Sequence, residues 1–161
     1  MVDITEISAA VAAAGVLIGV VYYILEIRHQ SRMRQTDLVV RISSDMKNRE
    51  FLEATLDVTG AEFKDNDDFV KKYGMPLSKN QVPLSFLIIG NYFEQIGVLF
   101  RNKLIDANLI GQLVPCSYMW EKMEPYVKSV RKELQDQTYY ENFEYLYNEM
   151  KKREQKLAKA K

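Results

Sequence analysis

The feature that most constrains this chain is a long apolar run near its start. No charged residue occurs between Ile7 and Leu25. A helix of this many residues is about 28 Å long, close to the thickness of the hydrocarbon core of a bilayer. The segment before the run is acidic and no small-residue cleavage site follows it, which is unlike a secretory signal peptide. We therefore predict a transmembrane helix over residues 7–27, preceded by a short extracytoplasmic segment, residues 1–6.

The charges that flank this run predict its orientation. No lysine or arginine precedes it, whereas Arg28, Arg32 and Arg34 follow it. Because cytoplasmic flanks collect basic residues, we expect a single-pass protein of the cell membrane with its N-terminus outside and its C-terminal domain in the cytoplasm. The same three arginines are expected to contact anionic lipid headgroups.

One face of the predicted span consists of small and polar residues. Steps of four and three residues connect Ser8, Ala12, Gly15 and Gly19, and the same face continues to Glu26. Because small residues let helix backbones approach closely in lipid, we predict that the first four form the interface of a homo-oligomer. In the alternative, several copies arrange this face around an ion pore with Glu26 at its mouth. A third interpretation is that alanine and glycine are simply common in membrane helices.

The sequence after the span predicts helices and no strands, since apolar residues recur at helical spacing without strand-like alternation. We expect an all-α fold in which one N-terminal transmembrane helix continues into a cytoplasmic bundle of about five or six helices. The predicted segments are a long juxtamembrane helix over 28–60, an acidic connector over 61–83, the bundle core over 84–150 and a basic fraying tail over 151–161. The apolar stripe of the juxtamembrane helix comprises Leu38, Val39, Ile42, Met46, Leu52 and Leu56.

Local signals predict several helix ends within the bundle. Asparagine, aspartate and threonine favour N-caps, glycine favours C-terminal stops, and proline favours first turns. Asp65 or Asn66 is predicted to cap a short helix that stops at Gly74, just before Pro76. The later predicted helix starts are Pro83 in a first turn, Asp106 as a cap and Pro115 as a kink or start. Glu124-Pro125 is predicted to start a helix that buries Val127, Val130 and Leu134, and Thr138 to Glu141 is predicted to form a capping box.

The chain contains few residues for catalysis. His29 is the only histidine and lies at the predicted membrane edge, so the bundle lacks the usual residue for acid–base and zinc chemistry. Glycine-rich nucleotide motifs are absent, and Cys116, the single cysteine, is expected to be a small buried side chain. Lys+Arg and Asp+Glu are both 22, so no basic excess indicates nucleic acid. We predict no enzyme activity, no cofactor and no metal site.

One carboxylate lies within the most apolar helix of the predicted bundle. A buried carboxylate such as Glu94 must be paired or neutralised. Arg131 lies at the edge of the apolar stripe of a later helix, so we predict that the two form a buried ion pair. The alternatives are an exposed edge that Glu94 shares with Asn91, Gln95 and Arg101, and a functional acid.

The stretch NYFEQIGVLFRNKLIDANLI at residues 91–110 is followed by Trp120, Tyr140 and the sequence FEYLY at 143–147. This pattern resembles a family of uncharacterised prokaryotic membrane proteins with a domain of unknown function, over roughly residues 24–150. The resemblance implies a single span and a helical cytoplasmic domain, and it implies no activity and no site residues.

These expectations combine into a non-enzymatic, single-span membrane protein that acts as an oligomeric scaffold or interaction module. The expected partners are the lipid bilayer, further copies of the chain and an unidentified protein, but not nucleic acid. One alternative is a subunit of a homo-oligomeric ion channel. Another is a sensor whose basic edge recognises anionic lipid.

Overall fold

The computed structural model describes residues 3–75 and 80–159, and seven α-helices but no strands lie within them. The all-α prediction is therefore confirmed. The helices are α1 (Ile4–Asp45), α2 (Arg49–Gly60), α3 (Asn66–Tyr73), α4 (Gln81–Arg101), α5 (Ala107–Leu113), α6 (Cys116–Leu134) and α7 (Glu141–Lys159). The chain divides into two units, Met1–Leu38 and Val39–Lys161.

Helix α4 is the centre of the second unit. It packs against α2 and α7, and α6 packs against α7. Its buried face is almost fully removed from solvent and consists of Phe86, Ile89, Phe93 and Ile96. Pro83 lies in its first turn, where the missing N–H disrupts no helical hydrogen bond. The second unit thus has the central core helix that the sequence predicts.

Aromatic rings fill much of this core. The Phe93 and Phe143 rings stack with centroids 4.6 Å apart and join α4 to α7. Trp120 of α6 meets Phe143 edge-on at 4.9 Å. Pairs in these geometries stabilise a fold by about 0.5–1.5 kcal/mol beyond their buried area. Helices α4, α6 and α7 therefore share one aromatic contact region.

The predicted juxtamembrane helix is interrupted. Helix α1 ends at Asp45, and α2 begins at Arg49 after Asn48, whose side chain accepts a hydrogen bond from the Glu50 N–H at 3.2 Å. The Tyr92 hydroxyl donates to the Ile42 carbonyl oxygen at 2.9 Å near the end of α1. A helix here can end without glycine or proline because Asn48 caps the next helix and satisfies one of its first N–H groups.

The interruption also changes which face of α2 is buried. The structure buries Phe51, Ala54 and Val58. Leu52 and Leu56, which the sequence places in the apolar stripe, are 50% and 71% exposed. The predicted stripe requires one unbroken helix over 28–60. Because a turn separates α1 from α2, the buried positions of α2 do not follow the helical spacing that starts in α1.

Several predicted helix ends are confirmed. Asp65 caps α3 by accepting from the Asp68 N–H at 2.9 Å, and Gly74 follows α3 with a φ of 98°, a region that favours glycine. Asp106 caps α5, and α6 begins directly after Pro115. Pro76 lies outside the described residues.

Two predicted helix starts are wrong. Pro125 lies inside α6, where it removes the N–H that would bond to the Glu121 carbonyl oxygen, yet the helix continues on both sides. The capping box at Thr138 is not formed, because the Thr138 hydroxyl donates to Asp136 Oδ1 at 2.6 Å. Helix α7 starts at Glu141 instead. Of the predicted buried positions of α6, Val127 and Val130 are confirmed, whereas Leu134 is 46% exposed.

The end of α7 is better anchored than a fraying tail. The helix continues to Lys159. Lys151 Nζ lies 2.7 Å from Glu121 Oε1, the guanidinium of Arg153 donates to the Ala107 carbonyl oxygen, and the Ser117 hydroxyl donates to Glu154 at 2.8 Å. These contacts correct the prediction for the start of the tail, and only the last turns are without them.

Candidate functional site

The apolar part of α1 is the most unusual surface of the chain. Every residue from 11 to 25 is exposed, and Val16, Leu17 and Ile18 are each at least 67% exposed. Aliphatic surface costs about 25 cal/mol per Å² in water, so a contiguous exposed patch indicates a lipid or protein partner. The stretch Val11–Asp45 is long and apolar enough to cross a membrane by length and composition.

A second helix passes the same test of length and composition. It is Val82–Arg101 of α4. Its inward-facing apolar side chains, among them Phe86 and Phe93, are buried within the second unit, although Leu84 and Val98 are exposed. This segment is therefore the core helix of the second unit, whereas residues 11–25 of α1 are exposed throughout within the described chain.

The small-residue face of α1 is open within the described chain. A Cβ atom added at Gly15 or Gly19 would meet nothing within 4 Å. Ala12 and Ser8 are exposed as well, and the Ser8 hydroxyl donates to the Ile4 carbonyl oxygen at 2.9 Å. This internal hydrogen bond satisfies the hydroxyl, as is usual for serine in an apolar helix. These four residues are therefore uncovered within the described chain.

The charged end of the apolar stretch is also exposed. Arg28, Arg32 and Arg34 all lie on the helix surface, at angles that distribute positive charge around α1. Glu26 is half-buried and accepts a hydrogen bond from Gln30 Nε2 at 3.0 Å. Arginine side chains in this arrangement can reach anionic groups on several sides of the helix.

Glu94 has a different role from the one its sequence context predicts. Its Oε1 accepts from the side-chain amide of Asn142 at 2.6 Å and from the Asn142 N–H at 3.3 Å, and its Oε2 accepts from the Phe143 N–H at 2.8 Å. A carboxylate at a helix N-terminus satisfies free N–H groups and complements the helix dipole. Glu94 of α4 therefore caps α7.

Arg131 is engaged elsewhere, which corrects the predicted Glu94–Arg131 pair. Its Nη2 lies 2.8 Å from Glu144 Oε2, and its Nε donates to the Tyr139 carbonyl oxygen at 2.8 Å. Glu94 and Arg131 thus both contact residues at or near the start of α7, but they bind different groups there. The sequence offered no signal for this arrangement, because a cap supplied from a distant helix leaves no local pattern.

The remaining side chains with possible catalytic chemistry do not form a cluster within the described residues. The Cys116 side chain is buried, and burial raises the pKa of its thiol to about 12. The part of the chain that the structure describes holds no group of three or more His, Cys, Asp or Glu side chains placed to bind a metal ion. A neutral buried thiol is a poor nucleophile.

A shallow groove of about 550 Å³ lies between α3 and α6. The Ser129 hydroxyl donates to the Asn66 side-chain oxygen at the base of this groove. Its rim carries both signs of charge, with Asp67 and Glu124 beside Lys128 and Lys132. Lys128 pairs with Glu124 at 2.8 Å. The mixed charge favours no ligand class, and the groove had no counterpart in the sequence predictions.

The fold and its surfaces define an all-α protein in which a long apolar helix precedes a compact helical unit. A family model described as a domain of unknown function (DUF4760) matches residues 9–150. The match covers most of the chain, so this protein belongs to that family. The predicted resemblance to a domain of unknown function is confirmed, and the match begins at residue 9 rather than at about residue 24. No curated protein and no solved structure matches the chain.

Proposed function

We propose that this chain is a single-span protein of the cell membrane that acts as an oligomeric scaffold or interaction module and not as an enzyme. One observation carries the proposal: residues 11–25 of α1 are uncharged and exposed throughout. A bilayer removes such a surface from water without any further protein. The second unit, with its own closed core, supplies a folded domain to hold on one side of that bilayer.

The orientation in this proposal is N-terminus outside and helical domain in the cytoplasm. It is supported by Arg28, Arg32 and Arg34, which follow the apolar stretch and are all exposed. Their positive charge would also hold the helix against anionic headgroups, with about 1 kcal/mol for each residue near the surface.

Self-association is the activity that the small-residue face supports best. Hydrocarbon tails are as apolar as aliphatic side chains, so helices in lipid associate through close packing at small residues. Gly15 and Gly19 are open on one face, whereas Val16 and Val20 cover a neighbouring one. In this proposal the glycine face contacts another copy and the valine face contacts lipid.

Copy number in mild detergent tests this proposal. The full chain should be an oligomer by light scattering, and the double variant Gly15→Leu/Gly19→Leu should be a monomer because leucine holds the backbones apart. The matched control is Val16→Leu/Val20→Leu, which adds bulk at the same spacing on the neighbouring face and should keep the wild-type mass. If both double variants keep that mass, the glycine face is not the interface.

The ion-channel alternative predicts a conductance that the scaffold proposal does not. It places Glu26, which lies on the same face as the two glycines, at the cytoplasmic mouth of a pore, where carboxylates favour cations. Purified protein in a planar bilayer should then conduct, and Glu26→Gln should lower the preference for cations. A dimer would exclude this alternative, because two single spans cannot enclose an axial pore.

A further inference from the structure

We propose that α1 also pairs beyond the membrane, in parallel with a second copy, and that ion pairs between Arg32 of one copy and Asp37 of the other set the register. The inference rests on the proposed single span and names the contact that continues its interface. It concerns only residues of α1 within the first unit.

The position of Met33 motivates this inference. Continuing the steps of four and three residues from Gly19 leads through Tyr22, Glu26 and His29 to Met33. Met33 is 53% exposed, although it lies in a segment otherwise rich in charge. In heptad notation Met33 is then an a position, in the same register as Ala12 and Gly19. An apolar side chain thus continues the face on which the span is proposed to pair.

Two opposite charges flank Met33 at a distinctive spacing. Arg32 immediately precedes it, at a g position, and Asp37 follows at the next e position. Both side chains are exposed, and the ion pairs formed within the described chain involve neither of them. Residues five apart do not share a helix face, so the two cannot readily pair within one chain.

The spacing identifies the occupant and its orientation. In a parallel coiled coil a g residue faces the e residue five positions later on the other helix. A second copy in register would therefore place Arg32 opposite Asp37 twice, once on each side of the seam. An antiparallel pair would instead align g with g and e with e, so Arg32 could not face Asp37. Copies of a single-span protein share one orientation, which makes the parallel arrangement the available one.

The composition of this face explains why charges must set its register. Glu26 and His29 occupy the a and d positions before Met33, and Thr36 occupies the d position after it. A seam this polar lacks the continuous apolar packing of a leucine zipper. Interhelical ion pairs at e and g positions choose partner and orientation where apolar packing does not.

Charge reversal in the full chain tests the pairing. In a mild detergent at low salt, Arg32→Glu and Asp37→Lys should each weaken dimerisation by about tenfold, since two exposed attractions become two repulsions. The double variant Arg32→Glu/Asp37→Lys restores opposite charges and should return the dissociation constant to within about threefold of wild type. The matched control is Arg34→Glu, which reverses an arginine that is also exposed but lies at a b position, and it should leave affinity within about threefold of wild type.

Cross-linking provides a readout that does not depend on affinity. Met33→Cys should give a disulfide-linked dimer on mild oxidation, whereas Ser31→Cys, on the outer face of the same turn, should not. The native Cys116 is buried and should not interfere.

The outcomes separate this inference from the proposed function. If the wild-type chain is a dimer that Gly15→Leu/Gly19→Leu dissociates, but the Arg32 and Asp37 variants behave like Arg34→Glu, the span pairs and the inference is wrong. The inference is equally wrong if the double reversal is as weak as its single variants combined. A monomeric wild-type chain would overturn both proposals together.

Discussion

Replacing Glu94 by alanine should destabilise the second unit by about 2–4 kcal/mol. The change removes the carboxylate that accepts hydrogen bonds from Asn142 and Phe143 at the start of α7. Two backbone N–H groups then lose their acceptor. Each buried donor left without an acceptor costs about 1–3 kcal/mol, and water reaching this half-buried position should recover part of that.

Replacing Glu94 by glutamine should cost less, about 1–2 kcal/mol. The amide keeps one oxygen, which can still accept from Asn142. Its NH₂ group would face the Phe143 N–H, now 2.8 Å from Glu94 Oε2, so that contact becomes donor against donor. The variant also loses the negative charge that complements the α7 dipole, which contributes about 0.3–1 kcal/mol.

Trp120 provides the assay. It is the only tryptophan, it is buried, and its ring packs against Phe143, the residue next to the capped N–H group of Asn142. Urea unfolding of the full chain, followed by tryptophan fluorescence, therefore reports the α6–α7 contact directly. With a denaturant slope of about 2 kcal/mol per molar urea, the middle of the usual range, the alanine variant should shift the midpoint by about 1–2 M.

Glu133 provides the control for the Glu94 variants. Glu133→Gln removes an exposed carboxylate near the end of α6 and should change stability by less than about 0.5 kcal/mol. If Glu94→Ala unfolds at the wild-type midpoint, Glu94 does not hold α7. If glutamine costs as much as alanine, the negative charge matters more than the two hydrogen-bond acceptors.

Three further outcomes are expected. Gly97→Ala should lower the free energy of urea unfolding by about 1–3 kcal/mol, because the new Cβ would clash with the Asn142 backbone oxygen. Its control is Gly60→Ala, whose Cβ would meet nothing within 4 Å and which should stabilise the fold by up to about 1 kcal/mol. Cys116, whose pKa is raised to about 12, should stay a neutral thiol near neutral pH, and fast maleimide labelling before unfolding would contradict its burial. Protease added to intact cells should leave residues 39–159 uncut on immunoblots, and their digestion would reverse the proposed orientation.

The sequence predicted those parts of the fold that depend on neighbours along the chain. Caps at Asp65 and Asp106 and the helix start after Pro115 follow from local backbone chemistry, and each is confirmed. The apolar content of α4 likewise revealed the central helix. Thr138 shows the limit of such signals, because Asp136 competes for its hydroxyl and the capping box does not form.

Long-range partners could not be predicted from one sequence. Glu94 and Arg131 are opposite in charge, yet they do not pair. Glu94 accepts hydrogen bonds from Asn142 and the Phe143 N–H, whereas Arg131 binds the Glu144 carboxylate and the Tyr139 carbonyl oxygen. These partners lie far along the chain, and their geometry depends on how α4 and α7 cross. Gly97 permits that crossing, since α7 backbone atoms occupy the space of its absent side chain.

The division of the chain into two units indicates where its function should be sought. Residues 39–159 bury their own aromatic and aliphatic side chains, and the charged groups around Glu94 and Arg131 are satisfied within the fold. Residues 11–25 are exposed throughout within the described chain. Such a surface is stable only against something other than this unit itself. In the proposed function, lipid contacts its valine and leucine sides, and a second helix contacts the open glycine side.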